Sequence, residues 1–167
     1  MILPAVRDPR LVTVRRGGSL TDEDHHLLAS WAADCAEHVL ELFERERPED
    51  RRPREAVDAT RAWVAGSLPM TGCRALGGHA MGAARPLRGA ARFAAYAAGQ
   101  AACVAHVAEH DLGAAAYAIK AVVADAGVAA GRAVRDRQRD RLPAAVRTLV
   151  LEDQGRRDAI CWGVFSL

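Results

Sequence analysis

Lysine is almost absent from this chain: a single one, Lys120, stands against 22 arginines. The imbalance reads as a codon preference for arginine and makes the place of the lone ammonium conspicuous. Long apolar runs are also missing. No stretch reaches the roughly 20 apolar residues that a bilayer-spanning helix needs, and Met1-Ile2-Leu3-Pro4 lacks the charged and apolar regions of a secretory signal. A cytoplasmic protein with no membrane partner is therefore expected. Cysteine is sparse: Cys35, Cys73, Cys103 and Cys161 show no CxxC spacing, and three fall in apolar helical patterns, as buried free thiols do. That pattern argues against a cysteine metal centre or a disulfide framework, and for a reducing compartment. Charge of one sign is not in excess either. The net charge is +2, and the arginine clusters at 45–54 and 132–141 are interleaved with Asp and Glu, so no specific nucleic-acid partner is expected. No P-loop, dinucleotide-binding glycine fingerprint or nucleophile elbow occurs. Gly17-Gly18 and Gly77-Gly78 lack the context such motifs require, and no cofactor is expected.

Alanine is what the chain has in abundance, 36 of 167 residues. Alanine has the best helix propensity, and its small side chain lets helices pack closely. The expected fold is all-α: one multi-helix bundle over 1–167, with a short N-terminal appendage at 1–20, a helical core at 21–150 and a C-terminal tail at 151–167. In the appendage, Leu11-Val12-Thr13-Val14-Arg15 alternates and is β-branched, which suits a short strand ahead of a turn at Arg15-Arg16-Gly17-Gly18. Thr21 can cap the first helix, with three acids behind it. The spacing of Leu28, Trp31, Cys35, Val39 and Leu42 carries that helix to about Arg45. Asp50 caps a second helix that stops at Gly66, and a third spans about 71–84. The pattern from Pro86 to Ala126 is almost continuously helical, with a break expected around Asp111-Leu112-Gly113. Gly127 and Gly131 punctuate the chain before an arginine-rich helix to about Leu142. Pro143 starts a short helix to about Val150, and Ile160–Phe165 returns to the core.

The candidate site residues are polar groups set in this apolar material. On an unbroken helix His106 and His110 would lie about 40° apart and about 6 Å along the axis, on one face, whereas Lys120 would lie about 21 Å from His106. Only a hairpin break near Gly113 could bring all three together. His106-Val107-Ala108-Glu109-His110 reads H-x-x-E-H, the inverted zincin pattern of two zinc-binding histidines and a glutamate base, although a third ligand would be needed. Asp34 and His38 form a second i,i+4 pair on the first helix, so Asp34, His38, His106 and His110 could together make an interhelical polar site. The plainer reading places the histidines at a helix seam, bonded to carboxylates of the first helix or to main-chain groups. Lys120 could be a desolvated amine suited to Schiff-base chemistry. Its plainer role is a pair with Glu37 or Asp125. Arg15 and Arg16 could cradle an anion through their guanidinium forks and the N–H groups of the following turn.

Several segments together resemble one family. They are Arg15-Arg16-Gly17-Gly18 with Leu20-Thr21; Leu27-Leu28-Ala29 and Trp31-Ala32-Ala33-Asp34-Cys35-Ala36-Glu37-His38-Val39-Leu40 with Phe43-Glu44; Arg52-Pro53-Arg54; Arg61-Ala62-Trp63; Ala98-Gly99-Gln100-Ala101; Ala105-His106-Val107 with His110; Leu112-Gly113-Ala114-Ala115 with Tyr117-Ala118-Ile119-Lys120-Ala121-Val122; and Cys161-Trp162. In combination they are similar to the bacterial immunity-five-like proteins of polymorphic toxin systems. The resemblance implies an all-helical cytoplasmic protein that binds and neutralises a cognate toxin by direct contact. A homo-oligomer is compatible with the sequence. The alternative is a small helical enzyme or ligand-binding protein with an interhelical Asp/His site, serving a biosynthetic pathway.

Overall fold

The computed structural model describes residues 2–167; Met1, the first residue of the N-terminal appendage, lies outside the described residues. The helices are α1 (Asp22–Glu37), α2 (Glu41–Glu44), α3 (Arg52–Val64), α4 (Met70–Ala84), α5 (Gly89–Cys103), α6 (His110–Ala126), α7 (Val128–Asp140) and α8 (Ala144–Arg157), with short 3₁₀ turns at Pro9–Leu11, Val14–Arg16 and Ala159–Cys161. The expected all-α architecture is present.

The bundle is organised around α5, which touches α1, α2, α3, α4 and α6. Its buried face is Ala91, Ala94, Ala95, Ala97, Ala98, Gly99, Ala101, Ala102 and Cys103, with Gln100 the one long side chain. α6 answers with Gly113, Ala114, Ala115, Ala116 and Ala118. Large apolar groups come from the surrounding helices, among them Trp31, Leu28, Leu40 and Phe43, all at most 2% exposed. A helix with small residues on most of its circumference can be surrounded, because no neighbour is held off by a branched side chain. Polar ties fix the outer layer to this centre. Trp31 Nε1 of α1 donates to Gln138 O of α7 at 2.9 Å, and Gln138 Nε2 donates to Ala115 O of α6 at 3.2 Å.

Local signals set most boundaries. Asp24 N donates to Thr21 Oγ1 at 3.1 Å, and Asp22, Glu23 and Asp24 occupy the positive end of α1. The first helix does not run on to Arg45. It tightens into i→i+3 bonds, from Val39 N to Ala36 O and from Leu40 N to Glu37 O, before α2 forms. Ala36, Val39, Leu40 and Phe43 stay buried through the bend, so the apolar period passes through unbroken and the sequence reads as one helix. α8 extends seven residues beyond Val150, to Arg157, because polar Asp153, Gln154 and Arg157 take over its inward face.

Two expectations are corrected. No strand forms at 11–15 among the described residues. Asp8 caps a 3₁₀ turn with Pro9 in its first position, a second turn follows, and a single isolated bridge joins Thr13 to Leu20. Only Leu11 of that alternating stretch is buried, so no sheet face exists to be covered. The break between α5 and α6 falls at Val104–Glu109 rather than at Asp111–Gly113. Gly113 lies inside α6, and a Cβ there would meet Gln100 Oε1 of α5 at 2.4 Å. This glycine marks a close approach of two helices, not the end of one.

At the crossing of α4 and α5 backbone meets backbone. A Cβ on Gly77 would meet Gly99 O at 2.8 Å and Ala102 Cβ at 3.1 Å, whereas one on the adjacent Gly78 would meet nothing within 4 Å. Gly77→Ala should therefore destabilise the protein by about 1–3 kcal/mol through overpacking. Gly78→Ala should stabilise it by about 0.5–1 kcal/mol through helix propensity. Urea melts of the two variants check this, and equal effects at both positions would contradict the packing described.

Candidate functional site

The four residues expected to make an Asp/His site are not brought together. Asp34 and His38 lie at the C-terminal end of α1, over a crevice of about 10 Å³ that also involves Trp31, Cys35, Arg137 and Arg141, barely room for one water. Asp34 is already engaged, by Arg61 at 3.2 Å and Arg141 at 3.7 Å. Burial, then Arg137 and Arg141, push the His38 imidazole below its ordinary value. The opposite end of α1 carries His25, whose Nε2 donates to Val104 O at 2.7 Å. Thirteen residues of chain, about 20 Å of helix, separate His25 from His38. His106 sits in the α5–α6 turn beside His25, so it belongs to this other end.

His106 and His110 do not form a helical i,i+4 pair, because the turn places only His110 in α6. His110 Nδ1 donates to Gln100 Oε1 at 2.7 Å, so its partner is a side chain of α5, not a carboxylate of α1 or a main-chain group. Burial lowers its pKa to about 4, with Arg157, His106 and Arg7 adding to the effect. Glu109, the glutamate of the H-x-x-E-H pattern, is fully buried and accepts Arg7 Nε at 2.9 and 3.1 Å. It is thus a structural anion. Among the described residues no group of three His, Cys, Asp or Glu side chains could hold a metal ion.

Glu109 belongs to an ionic cluster that sequence reading missed. Arg157 of α8, 3% exposed, donates to Asp153 Oδ2 at 2.7 Å, to Glu109 O at 2.7 Å and to Ile2 O at 3.0 Å. Asp8 is held by Arg10 and Arg156, and those guanidiniums keep its carboxyl well below the usual range. The cluster staples the N-terminal segment to the start of α6 and to α8, and its outer side faces a cleft of about 510 Å³. Asp111, 4.0 Å from Arg157 with Oδ2 unpartnered, is raised to about 7 by burial, which outweighs the nearby guanidinium. The sequence signal was the row Glu152-Asp153-Gln154 on a helix that should have been ending, a row that makes sense only if its polar side faces inward.

Lys120 pairs with neither Glu37 nor Asp125. Those carboxylates are taken by Arg61 at 2.7 Å and Arg45 at 3.2 Å. The Lys120 ammonium instead lies 3.7 Å from the centroid of the Trp162 ring and 4.7 Å from that of Phe93, a double cation–π contact. Its pKa is lowered by burial alone. Tyr117 stacks on Tyr96 at 5.1 Å and touches Trp162 at 4.9 Å, while Arg92 lies over the Tyr96 ring. Four of the eight aromatic residues (Phe, Trp and Tyr) thus gather on one face around two cations. Trp162 is 47% exposed and holds left-handed backbone, φ 62°. The pairs Phe93/Tyr96 and Tyr117/Lys120 were visible as i,i+3 neighbours on two helices. Nothing local pointed to Trp162, which arrives from the tail.

Arg15 and Arg16 lie on a cleft with His106. The N–H groups of Arg16, Gly17 and Gly18 are consumed within the turn, donating to Thr13 O, Val14 O and Thr13 O. The guanidiniums remain, without the backbone cradle.

The family model described as "Imm-5 like putative immunity protein" matches residues 18–145. No curated protein and no solved structure matches the chain.

The half-buried His110 and its buried neighbour Asp111 should leave opposite marks on stability. His110 has a folded pKa of about 4 against an ordinary 6.5. The unfolded chain alone takes a proton there, so stability falls as pH drops through that window. Asp111 has a folded pKa of about 7 against 3.8. Its contribution is complete below the lower value and is lost as pH rises through the upper one. Relative to the parent, His110→Gln should gain Tm on going from pH 7 to 5, and Asp111→Asn on going from pH 5 to 8. Offsets that stay flat with pH in circular-dichroism melts would refute these environments.

Proposed function

The chain belongs to the Imm-5 like putative immunity protein family, and on that premise we propose that it neutralises a cognate bacterial toxin in the cytoplasm by direct protein–protein contact. The observation that carries the reading is the aromatic face of Phe93, Tyr96, Tyr117 and Trp162 around Lys120. Trp, Tyr and Arg side chains are the groups that dominate binding energy when buried at the centre of an interface. Lys120 has no carboxylate partner among the described residues, and Arg92 over the Tyr96 ring has none either. An acidic side chain on the toxin would complete both while its apolar surroundings cover the rings.

The face is preorganised, which limits the entropy lost on docking. Gly163 N donates to Asp158 O at 2.8 Å and Phe165 N to Asp158 Oδ1 at 2.8 Å. Cys161, Val164 and Phe165 are buried on either side of Trp162, so the ring is fixed from both directions. The enzyme alternative has no comparable support, because Asp34 and His38 lie at one end of α1, His106 lies at the other, and His110 is engaged by Gln100 of α5.

The test is to purify the product of the neighbouring toxin gene and measure its affinity for this protein. A stable complex is expected, and Trp162→Ala should weaken it at least about 30-fold, the loss of a hot-spot residue, while circular dichroism shows the variant still folded. Absence of a complex, or a Trp162→Ala variant that binds as tightly as the parent, would overturn the reading.

A further inference from the structure

A cleft of about 280 Å³ opens where the N-terminal turn meets the start of α1, the end of α3 and the α5–α6 turn. It lies at the other end of the α5–α6 hairpin from the aromatic face and is independent of it. Thr13, Arg15, Arg16, His25, Trp63 and His106 contribute to its walls, and no carboxylate does. Elsewhere the chain matches its guanidiniums with acids, as at Arg54–Glu44, Arg61–Glu37 and Arg157–Asp153. Here Arg15 reaches only Asp22, through a pair that is mostly solvent-exposed, and Arg16 has no ion pair among the described residues.

The imidazoles divide the work. His25 is held by Val104 O and by the edge of Trp63, 5.0 Å between ring centroids, so it forms fixed wall. His106 has no such tether: its Nδ1 is sealed from solvent without a hydrogen-bond partner, and no side-chain bond fixes its other nitrogen among the described residues. Its pKa is lowered by burial and then by Arg74, Arg16 and Arg7; Arg7 is paired with Glu109, whereas Arg74 and Arg16 have no ion pair among the described residues.

We propose that this cleft binds a phosphate-type oxyanion of a small phosphorylated molecule, with Arg16 and His106 as the principal donors and Arg15 closing the rim. Guanidinium forks match the geometry of phosphate oxygens. Two guanidiniums and an imidazole that gains a proton as the anion enters suit a dianion better than a carboxylate. The volume lies just below the usual range for ligand pockets of roughly 300–1,000 Å³, which suits a compact molecule.

The experiment is an NMR titration of the His106 imidazole with inorganic phosphate and, separately, with acetate. Phosphate is expected to shift the resonance saturably and to bind at least about tenfold more tightly than acetate. Arg16→Gln should weaken phosphate about tenfold, the loss of a charge-assisted bond, while Arg132→Gln on exposed α7 leaves it unchanged. No saturable shift, equal responses in the two arginine variants, or acetate binding as well as phosphate would each overturn the proposal.

Discussion

Backbone-to-backbone approach around α5 is the constraint from which the rest of the architecture follows. Gly77 and Gly99 meet at the α4–α5 crossing with no room for a methyl group, and Gly113 yields its place to the Gln100 side chain. Helices this close leave a thin, methyl-lined centre, and apolar volume must be supplied from outside by Trp31, Leu40 and Phe43. Such packing gains its stability from many small contacts at high density rather than from a few large side chains. It therefore tolerates little change of shape at the crossings.

A centre of that kind also decides what can be done with polar groups. Those that enter it must find partners, since an unpaired buried charge is costly. Arg157 solves this by serving a carboxylate and two main-chain carbonyls at once, which joins both chain ends to the start of α6. His110 and Asp111 solve it by giving up charge, each displaced toward its neutral form. The polar residues that stay free for other work are consequently at the edges: Lys120 among aromatic rings, and Arg16 with His106 beside the N-terminal turn.

What was legible in the sequence is what local chemistry decides. The Thr21 cap, the stop at Gly66, the interruption at Pro86 and the apolar period of α1 place helices to within a few residues. The bend at Val39–Leu40 was invisible because it preserves that period. Gly113 was misread because a glycine required by a neighbouring helix looks, in one dimension, like a glycine that ends its own. The candidate site suffered from the same limit. Asp34, His38, His106 and His110 have helix-compatible spacings, but the turn at Val104–Glu109 leaves His106 at the far end of α1 from Asp34 and His38 and turns His110 onto Gln100 of α5. Arg15 and Arg16 were read apart from His106, which tertiary structure sets beside them. The partner of Lys120 could not be foreseen, since Trp162 comes from the far end of the chain.

The left-handed backbone at Trp162 carries a cost of its own. A residue with a Cβ is strained at φ 62°, by roughly 1–3 kcal/mol at positions of this kind, whereas glycine rests there freely. Its neighbour Gly163, also left-handed, shows that the chain has the easier residue at hand for such a turn. The substitution that would relax the turn is the one that deletes the indole, so at this single position thermal robustness and molecular recognition are set against each other.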